Sequence, residues 1–492
     1  MSRYTGLWVG FKCVNETVEQ TATIEIDAER PVAVYPAADD NDQPDVHFVP
    51  GRFNPQAEEQ LVERVRLPLV HKFVKENRLN RKILGEPGAT LGIISAGKSY
   101  QDLMQALQIL GLDQKSAEEL GISVFKVGCI WPLEPEGLKA FAHSLRQIFV
   151  VEEKKPFLED QVKTILCNES QKPLVFGKSD EQGTPIFCSD KQLEPVEIAV
   201  AIVDRLKAMS MADAGMLARR SELLESVTEA EHRSLPDLQR SPSFCSGCPH
   251  NTSTKLPENS IAGSGIGCHG MALFSRDDML NFTHMGAEGA QWTGVGHYVD
   301  TPHIFQNLGD GTYFHSGLLA LRSAVASGVN ITYKILFNDA VAMTGGQPVD
   351  GQISVGAITH QVLSEGVKRC VVISDAPESY GAGSNLASGV DVFHRDQMDK
   401  VQKQLREVAG CTVIIYEQTC ATEKRRRRKR GLMETPDHRL FINDAVCEGC
   451  GDCSVASGCV SLQPLETPLG RKRIIDQSSC NMDFSCEKWF CP

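Results

Sequence analysis

The chain is 492 residues long, 41% hydrophobic and 23% charged, with a formal net charge of −13. That length implies roughly two to four domains, and the composition is that of a soluble globular protein. The negative balance argues against general nucleic-acid binding, no apolar run approaches the length of a membrane span, and the start MSRYTGLWVGFKCV lacks the order of a secretory signal.

Residues 1–87 read poorly as an independent domain and are expected to be a linker or the remnant of a preceding one. TATIEID could be a strand, and YPAADDNDQPDVHFVPGRFNP is polar, proline-rich and expected to be exposed. AEEQLVERVRLPLVHKFVKENRL has helical periodicity broken at Pro68. Over residues 88–205 strands and helices alternate: ATLGIIS, SYQDLMQALQILGL, ISVFKV, LKAFAHSL, QIFVVEE and FLEDQVKTIL. This is the pattern of a small α/β domain with a mostly parallel sheet. Glu152 and Glu153 end one strand and are expected to be solvated. Residues 206–244 form a linker, with SELLESVTEAEHRSL helical and DLQRSPS a loop.

Residues 245–430 carry the densest chemistry. FCSGCPH brings Cys245 and Cys248, and GSGIGCHGMA brings Cys268 and His269. Cys-x-x-Cys lets two thiolates turn onto one metal centre. GSGIGC lacks the preceding strand of a dinucleotide fingerprint, so its glycines are read as places of close backbone approach. HIFQNL reads as a strand, Gly309-Asp310-Gly311-Thr312 as a tight turn, HSGLLALRSAVASG as a helix, and ITYKILF as a second strand ending at Asn338. The carboxyl edge of a parallel sheet is where ligands bind, and a carboxylate beside an amide suits Mg²⁺ with a diphosphate. CVVISD continues as a strand, VFHRDQMDKVQKQLREVAG as a helix, and TVIIYEQTC as a strand ending in Cys420. Cys245, Cys248, Cys268 and Cys420 can thus converge at that edge, around an iron–sulfur cluster or Zn²⁺, or remain core cysteines. Lys424 to Arg430, KRRRRKR, is expected to be a solvated linker, or else a dock for an acidic electron carrier. His284, Glu288 and His315 lie on glycine-rich loops, and His315 is the one expected to touch cofactor or substrate.

Residues 440–492 hold CEGCGDCSVASGC and SSCNMDFSCEKWFCP. With 17 cysteines in tight spacings and no export signal, cofactor ligation in a reducing cytoplasm is favoured over disulfides.

The Gly-Asp-Gly turn with its distant Asn resembles the thiamine diphosphate motif, and the whole order resembles the 2-oxoacid:ferredoxin oxidoreductase family. CSGCPH, GIGCHGMALF, FQNLGDGTYFHSG and AMTGGQ carry that match. The resemblance implies a multidomain α/β protein: a transketolase-C-like domain, a doubly wound thiamine diphosphate domain, and a small ferredoxin-like domain. It implies Mg²⁺ on Asp310, Asn338 and the carbonyl of Ala340, and a proximal 4Fe–4S cluster on Cys245, Cys248, Cys268 and Cys420. The tail resembles a two-cluster ferredoxin. Cys447, Cys450, Cys453 and Cys491 would hold one 4Fe–4S cluster. Cys459, Cys480 and Cys486 would hold the other, with Asp483 standing where the pattern has a cysteine. Asp483 is expected either to ligate iron weakly, giving a labile-iron 4Fe–4S or a 3Fe–4S cluster, or to be a surface residue.

The implied activity is oxidative decarboxylation of a 2-oxoacid, such as the arylpyruvate indolepyruvate, with coenzyme A taking the acyl group and ferredoxin the electrons. No complete domain supplying an activating Glu is found upstream of residue 88. The expectation is therefore a piece of a longer fused protein, or a subunit active as a homo-oligomer or with missing domains in trans. An electron-transfer module without catalysis, and a non-redox thiamine lyase or ligase, are the alternatives.

Overall fold

A computed structural model describes residues 1–488 apart from 22, 24–31, 37–45, 48–53, 87, 233–241, 350, 352 and 382. The expected strand TATIEID, most of the proline-rich excursion, part of DLQRSPS, and Cys491 lie outside the described residues. The chain divides into two compact units, residues 1–236 and 237–492. No helix among the described residues is long and apolar enough to cross a membrane.

The first unit is built on five strands: β1 (Arg81–Leu84), β2 (Leu91–Ala96), β3 (Ile122–Val127), β4 (Gln147–Val151) and β5 (Leu174–Phe176), in the order β1-β3-β2-β4-β5. Every pairing is parallel except β1 with β3. Helices α1 (Gly97–Ile109) and α2 (Pro195–Ala208) cover one face, burying Leu103, Leu107, Ile198 and Ile202 on Leu91, Ile93 and Phe149. On the other face Leu138, Leu158 and Val162 pack against Ile94, Phe125 and Val150.

Four expectations need correction in this unit. The sheet begins at residue 81 rather than 88, because β1 closes its edge. The expected linker after residue 205 is largely helix, Ala214–His232, whose Met216 and Leu223 join the same core. The helical stretch around Pro68 is unbroken, because a π turn, Val62–Arg66, leads into Leu67–Glu76 and absorbs the missing amide. Nor are the two glutamates solvated. Glu152 accepts hydrogen bonds from the amides of Leu158 and Glu159 at 2.7 and 2.9 Å, and Glu153 faces Lys98 at 3.5 Å.

The second unit carries a seven-stranded sheet of β6 (Ala262–Gly263), β7 (Met279–Leu280), β8 (Ile304–Gly309), β9 (Ile331–Phe337), β10 (Arg369–Ser374), β11 (Asp391–His394) and β12 (Cys411–Glu417). The order is β11-β10-β12-β9-β8-β6-β7 and every pairing is parallel. Such strands are buried on both faces, which is why ITYKILF and TVIIY read as continuous apolar runs. Because all seven run one way, Gly309, Phe337, Ser374 and Glu417 end at a single edge. Helices α3 (Leu318–Ser327) and α4 (Val355–Ser364) bury Leu321, Ala324, Ile358 and Val362 on Ile335 and Val413. On the opposite face Met398, Val401 and Leu405 of α5 (Met398–Leu405) cover Leu336, Ile373 and Ile414. The expected helix from Val392 starts later, because Val392 and Phe393 are taken into β11 alongside Val372 and Ile373.

Helix α6 (Ala421–Lys429) follows β12. The tail then adds a short helix, Asp452–Ser457, and an antiparallel hairpin of β13 (Leu462–Thr467) and β14 (Gly470–Ile475). Ile335, fully buried in the second core, sets a stability test. Ile335→Ala will destabilise the second unit by about 2–5 kcal/mol in urea unfolding, while Leu319→Ala on the exposed face of α3 will shift it by about 0.5 kcal/mol at most.

Candidate functional site

Asp310 is the first residue past β8 and is buried, at 4% exposure. Its Oδ1 accepts the Gly311 amide at 2.8 Å. Its Oδ2 accepts the amides of Asn338 and Asp339, past the end of β9, at 3.0 and 3.2 Å. One carboxylate therefore ties two loops of the sheet edge together. Burial raises its pKa above the usual carboxylate range, against the pull of those amides. A cation at this spot would offset that cost. Asn338 turns its Oδ1 to the Ala340 amide at 3.3 Å, and Asp339 between them has φ 59°, a left-handed backbone that few side chains adopt. Asp310, Asn338 and Ala340 are thus together, as expected of an oxygen-rich Mg²⁺ site. His315 lies farther along, in a π turn at Tyr313–Gly317, exposed to solvent and hydrogen-bonded to Ser316 at 2.6 Å. The structure gives it no contact with Asp310 among its hydrogen bonds.

Several buried polar atoms at this edge have no hydrogen-bond partner: Ser264 Oγ, His269 Nε2, and both the oxygen and nitrogen of the Asn307 amide. Buried polar groups are almost always satisfied, so these suit a bound polar ligand. The glycines leave the room. A Cβ at Gly265 would stand 2.6 Å from His269 Nε2, and one at Gly309 would stand 3.4 Å from His269 Cε1. These features fit thiamine diphosphate against Gly309–Thr312 and His269.

Cys420 joins the thiol set to this loop, because its amide donates to the Asn338 carbonyl at 3.3 Å. Burial pushes the Cys248 thiol well up, and nearby Cys245, Cys420 and Cys268 add to it; Cys268 is raised by burial, then by Cys420 and Cys245. The four expected thiols are therefore close enough to feel one another's charge, and their chemistry fits an iron–sulfur cluster. No group of three or more His, Cys, Asp or Glu among the described residues is closed onto a metal-binding geometry.

In the tail, the Cys486 thiol is raised to about 11 by burial first, with Cys459, Cys480 and Asp483 contributing. Ser246, inside Cys245-x-x-Cys248, has its Oγ 3.3 Å from Cys459 Sγ. Cys447 is buried, Cys450 is exposed, and Cys453 lies on the short tail helix. Asp483 is no surface residue. Its side chain is 10% exposed and its Oδ1 accepts from Arg395 Nη1 and Gln418 Nε2, each at 2.7 Å.

From Lys424 to Arg428 the basic run is not a solvated linker either, while Lys429 and Arg430 are exposed. Lys424 pairs with Asp375 at 2.8 Å, Arg427 with Asp339 at 2.7 Å, and Arg426 donates to the Gly345 carbonyl at 2.6 Å. Arg425 and Arg428 donate to the carbonyls of Ser479 and Asn481 at 2.8 and 2.7 Å.

His269 was among the expected cofactor-binding residues, but its buried neighbours His250 and Lys334 escaped sequence reasoning. Lys334, in mid β9, is fully buried and donates to the Ser253 carbonyl at 2.7 Å and to Gln402 at 3.3 Å. His250 and His269 meet edge to face, with ring centroids 5.6 Å apart. Burial, then the lysine, lowers His269 to about 4, and burial lowers Lys334 itself to about 7. The available signal was one cation within the apolar run ITYKILF.

Lys334 makes a pH prediction. A lysine whose folded pKa is depressed destabilises the fold fully below about 7, and not at all above its ordinary 10.5. Stability therefore rises with pH across that window. Lys334→Met will flatten this slope in urea midpoints compared at pH 7 and pH 9.5.

Residues 81–231 match the indolepyruvate oxidoreductase domain, and residues 265–416 match the C-terminal TPP-binding domain of thiamine pyrophosphate enzymes. The indolepyruvate oxidoreductase subunit IorA of Thermococcus kodakarensis is 26% identical over 421 residues, covering 81% of this chain and 59% of that protein. IorA of Methanothermobacter marburgensis is 28% identical over 443 residues, covering 80% and 62%. The chain thus spans about three-fifths of the length of the curated relatives it matches. Among solved structures, a 2-oxoglutarate:ferredoxin oxidoreductase from Magnetococcus marinus aligns over 42% of this chain and 76% of its own, with 18% identity and a TM-score of 0.30. The two domain matches and the run of relatives make this an IorA-like chain, similar to the A subunit of indolepyruvate oxidoreductase.

Proposed function

We propose that the chain is the thiamine-binding and electron-relaying part of a 2-oxoacid oxidoreductase of the indolepyruvate type. Its partners on this reading are an arylpyruvate, coenzyme A and a cytoplasmic ferredoxin. The observation that carries the reading is the shared loop: Asp310 grips the Asn338 amide, and Asn338 accepts from Cys420. A diphosphate site and a thiol set then share one hydrogen-bonded segment, which a pure electron carrier has no use for.

The residues divide the work. Asp310, Asn338 and the Ala340 carbonyl would hold Mg²⁺, and Gly309 and Gly311 admit the diphosphate to the backbone. His269 is neutral at physiological pH, so its free Nε2 can donate or accept without adding charge. Cys245, Cys248, Cys268 and Cys420 would hold the proximal cluster. When bound, thiamine diphosphate supplies the electron sink for decarboxylation and the clusters take electrons one at a time. Ser246 Oγ lies 3.3 Å from Cys459 Sγ, so a cluster held by Cys459, Cys480 and Cys486 would stand beside one held by Cys245 and Cys248.

The first test is a thermal shift. Mg²⁺ with thiamine diphosphate at about a hundred times its Kd will stabilise the chain by about 2.7 kcal/mol, and Asp310→Asn will abolish that shift. No shift in the unaltered chain would leave the electron-carrier reading standing instead. The second is anaerobic reduction of a one-electron acceptor with indolepyruvate and coenzyme A. Turnover by the chain alone would place the activating carboxylate within this sequence. Thiamine binding and iron content without turnover would mean that another domain supplies it.

A further inference from the structure

The tail sequence Cys480-x-x-Asp483-x-x-Cys486 puts a carboxylate where a third thiolate would complete an iron–sulfur set. The structure gives that carboxylate other work. Arg395, just past β11, takes Asp483 with both terminal nitrogens: Nη1 donates to Oδ1 at 2.7 Å and Nη2 to the main-chain carbonyl at 2.8 Å. Gln418, just past β12, donates to the same Oδ1 at 2.7 Å. Both charged side chains are about nine-tenths buried, at 11% and 10% exposure. Moving Asp483 onto iron would strand the Arg395 guanidinium without its counter-ion.

The backbone around Asp483 is bent to make this contact. Met482 and Phe484 on either side have φ of 51° and 57°, left-handed values that side chains rarely adopt. Phe484 stacks on His438 at 4.4 Å. On the other side, Gly247 of Cys245-x-x-Cys248 presses against the aspartate: a Cβ there would lie 2.8 Å from the Asp483 Cβ. Asn481 Nδ2 donates to the Ser246 carbonyl at 2.9 Å, and Arg425 and Arg428 hold the carbonyls of Ser479 and Asn481.

We infer that Asp483 is a latch fastening the cysteine-rich tail to the sheet edge, and not an iron ligand. The Cys459, Cys480 and Cys486 set then offers three thiolates, so any cluster there is a 3Fe–4S cluster or has one exchangeable iron. This goes beyond the proposed enzyme function and holds independently of it.

The test compares Asp483→Asn with Arg395→Ala in the full chain, by limited proteolysis and by iron per chain. A latch predicts that both variants speed cleavage within residues 431–446 by about tenfold or more, since cleavage tracks the opened population. It also predicts that the double variant is no faster than either single one, and that iron per chain stays at the unaltered level. Arg395→Lys, which keeps the charge and loses the two-atom grip, will fall between, and it decides the matter if Arg395→Ala does not fold. Loss of iron in Asp483→Asn with unaltered cleavage would overturn the latch, as would an Arg395 variant cleaved at the original rate. A protein purified without iron would sink the cluster reading, while the cleavage comparison would still decide the latch.

Discussion

The second unit depends on one buried carboxylate meeting two peptide amides. Asp310 ends β8 and, through Asn338 and Asp339, holds the turn that ends β9. Parallel strands bring their carboxyl ends to one edge but leave the loops there free to diverge. The carboxylate removes that freedom. Its burial works against its own ionisation. On the proposed reading a bound cation would offset that cost, and the unpaired atoms of Ser264, His269 and Asn307 lie at the same edge.

Charge is distributed to serve that edge. The chain is acidic overall, yet its densest basic segment lies on α6, directly after Cys420. Each cation from Lys424 to Arg428 meets a partner: Asp375, Asn481, Gly345, Asp339, and Asn481 again. The helix therefore spans the distance between the Asp339–Gly345 loop on one side and the cysteine-rich tail on the other. Its basic last turn also complements the negative end of its own dipole.

Much of this was readable in advance, and the reasons are local. HIFQNL, ITYKILF and TVIIYE formed strands because buried parallel strands need unbroken apolar runs, and the glycine turn needed only its own short-range geometry. The mixed α/β fold with parallel sheets followed from that alternation. Long-range partners were not readable. Nothing near Asp483 in sequence announces Arg395, 88 positions away, and a row of arginines looks the same whether solvated or bound to carbonyls. Lys334 was passed over because hydrophobic periodicity averages out one cation among apolar neighbours. Val392 and Phe393 fitted a helical pattern until a neighbouring strand offered them a ladder. His315 was favoured for its nearness in sequence to Asp310, and one helical turn carried it into solvent.

The grip of α6 on the tail has an evolutionary side. Arg425 takes hold of Ser478 and Ser479 by their main-chain oxygens, and Arg428 takes hold of Asn481 in the same way. Every amino acid presents that oxygen, so these contacts recognise the path of the chain, and only the bond from Arg425 Nε to the Asn481 side-chain Oδ1 at 3.1 Å reads its lettering. Selection therefore bears unequally on the two sides. Ser478 and Ser479 answer to other partners through their hydroxyls, Asp476 and Ser461, while the two arginines have no interchangeable substitute in the clamp, since lysine lacks their fork of donors.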